Sequence, residues 1–560
     1  MTRPIDRAVT ASAGEMARLL AAAEPAAPRP LRELFARLRA SGLLGRRGTA
    51  RALDNDWPWV RGVAFDSRLV VPGSLFVAVP GIHADGHDFV AAAAARGATA
   101  AIVERPVDAE LPQILVDNTR RALAAAAAWW YGDPSREMGI VGITGTDGKT
   151  TTSFLAAAVL AAAGISTGLI TTAAAQVGSL RTANPEHVTT PEAPQLQSLL
   201  RAMVGAGNRA AILETTSHGL ALDRVAEIDY DAAVFTNLTH EHLELHGTFE
   251  AYRDAKLSLF RRLGEQGAAR KPSVGWPRVG IVNADEAAAP LFTAAARDAG
   301  ARVVTYGEAQ RSDVHAADIT EGPRSMQFSV TTPRWRGAVE LRLAGRFNVH
   351  NALAAIALGE ALELDGAAIR AALASVWGVP GRMERVDCGQ PFAVVVDYAH
   401  SPASLEKVLD VLEPMASAGG GGLVAVFGSA GERDVLKRPM MGRVAAERCR
   451  LVVVTNEDPR GEDAGSIIGE IVAGARAAAP RAGRPSSGIL EIPDRRAAIE
   501  AAFERARPGD VVLLAGKGHE QTIIMADGPV TWDERSEAIR ALERLGYESE
   551  GGAMRRSGGR

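Results

Sequence analysis

Residues 142–155, GITGTDGKTTTSFL, confine the fold more than any other stretch of the chain. They follow an apolar run, MGIVGI, that reads as a short buried strand, and they lead into a helical pattern over 149–163. The order is therefore strand, glycine loop, helix. In that setting Gly145 and Gly148 let the backbone turn tightly, so that successive N–H groups converge on phosphate oxygens while the helix N-terminus adds positive potential. Lys149 would neutralise the transferring phosphate, and the Thr150 hydroxyl would ligate Mg²⁺. A strict P-loop has a glycine five residues before Gly148, where this chain has Ile143, so the loop is a compact variant. A glycine-rich turn without nucleotide is the bland alternative, and GK followed by three threonines after a strand argues against it.

At 560 residues the chain is too long for one core, and three domains are expected. Its charge is balanced, 62 Lys and Arg against 66 Asp and Glu, so neither a basic footprint for nucleic acid nor an acidic tail is present. Two cysteines, Cys388 and Cys449, are too few for a disulfide framework or a Cys-based zinc site. A reducing, cytoplasmic setting is the expectation. The run ALAAAAAWWY after Arg121 is about half the length of a membrane span, and the N-terminus lacks a basic-then-apolar signal pattern, so no membrane association is expected.

The patterning predicts an α/β protein of three domains: a small N-terminal α/β domain, a central P-loop-type domain with a mostly parallel sheet, and a C-terminal Rossmann-like domain. Residues 1–30, rich in Ala and Pro, read as a disordered extension. Residues 31–136 form the small domain, in which SLFVAV and AAIVE alternate with an Ala-rich helix. Asp66, Ser67 and Arg68 sit where a strand breaks into a loop, a position that suits ligand contact and ordinary turn chemistry equally.

Residues 137–379 alternate strands with Ala-rich helices, and in such sheets ligands gather at the carboxyl ends of the strands. Glu214 closes the strand RAAILE, where a second metal ligand beside the P-loop would be needed. His240, His242 and His246 in THEHLELHG fail the HExxH zinc pattern, because position 244 is Glu244. A Mg²⁺ role for His242 or simple loop hydrogen bonding remains. Lys256 lies in a helical pattern, where a solvated lysine is the default. Residues 380–548 carry the cleanest alternation, and Ser401 with Pro402 reads as a helix start. Their FGSAGERD has only a GxxG spacing, so NAD is not expected. Residues 549–560 read as a disordered tail.

Nine ordered motifs are then in view: TGTDGKTTT, LETTSHGL, VFTNLTHEHLELHGTFEAYRDAK, GRFNVHN, GRMERV, VDYAHSP, FGSAGERD, TNEDPR and AGKGHE. Together they resemble the ATP-dependent Mur ligases of bacterial cell-wall synthesis, over residues 31–547. SHGL and TNEDPR look most like the branch that adds the third amino acid to UDP-N-acetylmuramoyl-L-alanyl-D-glutamate. The resemblance implies that Phe65, Ser67, Ile82, His83 and Ala84 hold the UDP end of the substrate, and that Thr189, Thr190, Thr216 and Arg224 contact its muramoyl dipeptide. Gly145, Thr146, Asp147, Gly148, Lys149, Thr150 and Thr151 would bind the ATP phosphates. Asn348, Arg382 and Asp397 would contact the ATP adenine, phosphate and ribose. Thr150, Glu214 and His242 would ligate Mg²⁺, and Lys256 would be carbamylated to hold a second Mg²⁺. Arg433, Glu457, Asp458, Pro459, Arg460, Gly516 and Glu520 would bind the incoming diamino acid.

The implied chemistry activates a carboxylate as an acyl phosphate, which an amine then captures, with closure of the third domain excluding water. Arg460 matches the distal carboxylate of meso-diaminopimelate, which L-lysine lacks. The family's DNPR reads EDPR here, so L-lysine and L-ornithine stay open as donors. A related ligase acting on another acid, such as a folylpolyglutamate synthase, is the rival reading, and the DSR-bearing N-terminal domain argues against it. The expected protein is a monomer without nucleic-acid partners.

Overall fold

The computed structural model describes residues 13–44, 57–81, 84–184, 188–239, 246–265, 271, 274–322, 325–479 and 488–547. The chain forms two compact units, Met1–Ile319 with Phe328–Val339 and Phe347–Ser375, and Thr320–Gln327 with Glu340–Arg346 and Val376–Arg560.

Two larger sheets lie mainly in the first unit, beside a two-stranded pair of Arg29–Pro30 with Trp59–Val60. The smaller has four parallel strands in the order Gly62–Ala64, Ser74–Val77, Ala100–Val103 and Gln113–Leu115. Every residue of the two middle strands is buried, as continuous apolar runs in a parallel sheet covered on both faces should be. Helix Leu31–Ala40 buries Leu31, Leu34 and Leu38 against it. The run ALAAAAAWWY is a buried helix, Thr119–Tyr131, capped by the Asn118 side chain and stopped by Gly132 in the left-handed conformation.

The larger sheet has eleven strands. Its middle is parallel, in the order Thr167–Ile170, Ala210–Glu214, Gly139–Thr144, Ala232–Phe235, Val279–Asn283 and Arg302–Gly307. The strand ahead of the glycine loop is therefore central, and its neighbour ends at Glu214, in register with Ile143. Adjacent strands lie roughly 4.8 Å apart, so this register brings the Glu214 carboxylate to the mouth of the loop. At the amino ends of strands Gly139–Thr144 and Ala232–Phe235, Lys271 is buried; its ammonium donates to Asp231 at 2.7 Å and to three backbone carbonyls. Removing one partner would leave an uncompensated buried charge.

The expected disorder of residues 1–30 is corrected where the chain is described. Ala13–Ala23 is a helix, and Met16, Leu19, Leu20 and Ala23 turn one face onto the core that helix Ala193–Gly205 shares. That is an i, i+3, i+4, i+7 stripe hidden among alanines. Glu24 follows, accepting hydrogen bonds from Trp130 Nε1 at 3.1 Å and from the Tyr131 hydroxyl. The remainder of the expected extension, 1–12, and the expected tail lie outside the described residues.

The second unit is built on a six-stranded sheet in the order Glu384–Val386, Ala393–Asp397, Val511–Ala515, Leu423–Phe427, Leu451–Val454 and Ile489–Glu491, all parallel but the first pair. Helix Pro402–Ala418 starts as expected, Ser401 and Ser404 forming a reciprocal cap, and buries Leu405, Val408, Leu409 and Leu412. A buried pair, Arg495 with Glu534 at 2.6 Å, ties helix Arg495–Glu504 to the last helix. Among the described residues no helix is long and apolar enough to cross a membrane.

Candidate active site

The first unit gathers its polar residues around the glycine loop. Gly145 has φ 150° and Gly148 φ 80°, and a Cβ on Gly148 would lie 2.3 Å from Asn351 Oδ1. A second strand end braces the loop from the side: Asp147 N donates to Asn237 Oδ1 at 2.8 Å, and Thr236 Oγ1 donates to Asp147 O at 2.7 Å. Lys149 opens helix Lys149–Ala162, and its ammonium lies over the loop, donating to Thr146 O at 2.6 Å and Gly145 O at 3.1 Å. Thr150 Oγ1 donates to Glu214 Oε2 at 2.9 Å.

Glu214 is only 2 % exposed, and Thr172 steadies it through its N–H at 2.9 Å and its hydroxyl at 3.1 Å. A hydroxyl and a carboxylate are the hard oxygen donors that Mg²⁺ selects, so this pair fits that ion. Among the described residues no group of three or more His, Cys, Asp or Glu forms a metal site. His240 and His242, like Ile82 and His83, lie outside the described residues.

Lys256 is not the solvated lysine of the default reading. It is 2 % exposed, donates to Gly145 O at 2.7 Å and sits 4.4 Å from the centre of the Tyr252 ring. Burying an ammonium is costly, and a carbonyl with an aromatic face offsets part of that cost. Two lysines thus converge on one loop carbonyl. Asn348 accepts from Asn351 Nδ2 at 2.9 Å, and Asn351 in turn accepts from Thr152, which fixes Asn348 to the loop's own helix.

The residues expected to contact the muramoyl dipeptide lie beside Glu214. Thr189 and Thr172 share a hydroxyl contact at 2.9 Å, Thr190 donates to Glu214 O at 2.9 Å and meets Thr216 at 3.0 Å, and Arg224 donates to Thr190 O at 2.9 Å. In the smaller sheet, Asp66 caps the short turn that begins at Ser67, accepting from Arg68 N at 2.9 Å, so turn chemistry is what Asp66 performs. Phe65 packs partly into that domain's core, and Ala84 O accepts from Gly81 N.

In the second unit the expected residues stand at carboxyl ends of the parallel strands. Asp397 accepts from Met383 N and Ala399 N, both at 2.8 Å, and burial pushes its carboxyl above the usual range. Arg382 stacks 4.8 Å from the Tyr398 ring centre, and the Tyr398 hydroxyl donates to Glu520 Oε1 at 3.3 Å. Burial raises Glu457 as well, and its Oε2 is buried without a hydrogen-bond partner. Asp458 accepts from Ile524 N at 2.9 Å and from Lys517 Nζ at 2.8 Å, while Lys517 also reaches Glu520 Oε2 at 2.5 Å. Arg460 has φ 55°, Pro459 is buried before it, and Gly516 at φ 100° leaves room for Glu457. Arg433 is exposed.

Lys517, Thr172, Asn237 and Tyr398 were not singled out in the sequence. Lys517 had a signal, since it lies between Gly516 and Glu520 in AGKGHE.

The Mur ligase middle-domain model matches residues 143–359, the Mur ligase glutamate ligase domain matches 381–518, and the Mur ligase family catalytic domain matches 60–131. A UDP-N-acetylmuramyl-tripeptide synthetase from Roseiflexus sp. is 48% identical over 88% of this chain and 96% of its own. A UDP-N-acetylmuramoyl-L-alanyl-D-glutamate--2,6-diaminopimelate ligase from Geobacillus thermodenitrificans is 40% identical over 87% of this chain and 95% of its own. A solved structure of a ligase with that same name superposes with a TM-score of 0.61 at 31% identity, covering 89% of this chain and 98% of its own.

Proposed function

The chain belongs to the Mur ligase family, with its three-domain α/β fold, and from that premise we propose that it joins meso-diaminopimelate to UDP-N-acetylmuramoyl-L-alanyl-D-glutamate at the expense of ATP, in peptidoglycan precursor synthesis. The observation that carries the reading is the set of Lys149, Thr150, Glu214 and Lys256 around Gly145. A free carboxylate is a poor electrophile. Its oxygen attacks the γ-phosphorus of ATP, ADP leaves, and the resulting acyl phosphate is captured by the donor amine, which loses a proton as inorganic phosphate departs.

In this reading the loop N–H groups and Lys149 hold the phosphates in line and offset their charge. Thr150 and Glu214, with His242, would hold Mg²⁺, which when bound supplies further charge neutralisation. Lys256 would serve there as its carbamate, turning a cation into an anion. Thr189, Thr190, Thr216 and Arg224 would position the dipeptide, and Ser67 with its neighbours the UDP end. Asn348, Arg382 and Asp397 would orient the nucleotide. The proposed division of the chain is 31–136, 137–379 and 380–548.

Arg460 supports diaminopimelate as the donor, because its guanidinium can take a distal carboxylate with two parallel hydrogen bonds. Asp458 opposes this less than a free carboxylate would, since it accepts from Lys517, an ammonium it shares with Glu520. A second reading, L-lysine or L-ornithine, rests on Glu457, whose unpartnered buried Oε2 would suit a side-chain ammonium. Steady-state ligation with the three donors side by side decides. Preference for diaminopimelate upholds the first reading, preference for lysine or ornithine the second, and turnover on a folate acceptor instead of the UDP substrate would overturn both.

A further inference from the structure

Each of the two loops assigned to the amine donor bends at a residue that is not glycine yet has φ near 55°, Glu432 on one and Arg460 on the other. Side chains disfavour that left-handed conformation, so it persists only where the surroundings hold it. The Glu432 N–H donates to Glu462 Oε1. The other oxygen of Glu462 accepts from Arg438 Nη2 at 2.7 Å, and Arg438 also reaches Glu470 Oε2 at 3.1 Å and Ala430 O at 3.4 Å. Arg438 is 2 % exposed, on helix Lys437–Arg448, while its acidic partners are partly exposed.

The loops are also keyed to each other. Gly431 N donates to Asp458 O at 2.9 Å, and a Cβ on Gly431 would fall 2.1 Å from Pro459 O. One buried guanidinium therefore gathers the loop before its own helix, the loop that bears Arg460, and helix Ala464–Ala478. Arg438 Nε is buried without a hydrogen-bond partner. A clamp serving stability alone would do better as packed apolar side chains, because buried charges with unmet donors stabilise poorly.

We propose that the Arg438–Glu462 pair is a positioning device for the amine donor: through the Glu432 backbone it sets where Arg433 points, and through the keyed loops it holds Arg460. The proposal rests on the reading of Arg433 and Arg460 as donor residues. Neither Arg438 nor Glu462 touches substrate in this scheme; they act through the loops.

The test is steady-state kinetics of the full chain with each substrate varied in turn, comparing Arg438→Met, Arg438→Lys and Glu462→Gln with the unaltered protein, using whichever of diaminopimelate, lysine or ornithine it ligates. Arg438→Met is expected to raise the donor KM by about tenfold or more, with less than about twofold change in KM for ATP and the UDP substrate and a kcat at saturating donor within about threefold. Glu462→Gln should reproduce the donor effect, and Arg438→Lys should restore part of it. An unchanged donor KM, or an equal loss across all substrates, overturns the proposal. Should Arg438→Met not fold by circular dichroism, Glu462→Gln decides on the same criterion. If the unaltered protein ligates no donor at all, the functional reading falls and the proposal with it, a result separate from normal ligation with unshifted variants.

Discussion

Lys149 carries more of the proposed chemistry than any other side chain, since its ammonium lies directly over the loop carbonyls at 2.6 and 3.1 Å. Lys149→Ala is expected to lower the rate of amide synthesis by roughly 100-fold or more, measured as tripeptide formed, because a preorganised charge on a transferring phosphate is lost. Arg460→Ala should abolish any preference for diaminopimelate over lysine, read from the ratio of kcat/KM for the two donors. His400 gives a pH signature. Burial first, then the nearby Lys437, pulls its imidazole down to about 4. Its unfolded value is about 6.5, so the stability it contributes is complete above that pH and is lost as pH falls toward 4, amounting to about 3 kcal/mol. Unfolding midpoints from pH 7 to 4.5 should therefore fall less in His400→Gln than in the unaltered chain. Lys149, Thr150 and Glu214 could be read from spacing, because a motif and a strand end fix their places. Thr172 and Asn237 could not be assigned that way, since each matters through a partner far along the chain.

At the scale of elements, the glycine loop depends on conformations that only glycine adopts freely. Gly148→Ala combines φ 80° with a Cβ 2.3 Å from Asn351 Oδ1, and is expected to cost more than about 1 kcal/mol and to weaken ATP binding, checked by thermal unfolding and by nucleotide titration. The helix Ala13–Ala23 gives the opposite lesson. Its stripe spans only two turns within an Ala- and Pro-rich stretch, and the surface it covers belongs to residues nearly two hundred positions later, so composition masked it. Glu24→Ala removes the acceptor for Trp130 and Tyr131 and should lower stability by about 1–2 kcal/mol, seen as a lower unfolding midpoint. The buried parallel strands were the easiest elements to read, because continuous apolar runs bounded by turn residues have few other meanings.

Across the whole molecule, three α/β sheets present polar residues at carboxyl strand ends, as such sheets do when they bind ligands. The alternation of strands and helices made that architecture plain, whereas the roles of 240–245 and 82–83 lie outside the described residues. The proposed activity consumes one ATP for each amide formed, and because the phosphoryl group goes first to the acceptor carboxylate, ADP release depends on that acceptor. Its most direct test is to incubate the protein with ATP, Mg²⁺, UDP-N-acetylmuramoyl-L-alanyl-D-glutamate and diaminopimelate, and to measure ADP and the UDP-tripeptide together. Equal amounts of the two products, with little ADP when the UDP substrate is withheld, are expected; ADP released at the same rate without the acceptor, and no tripeptide, would contradict the account.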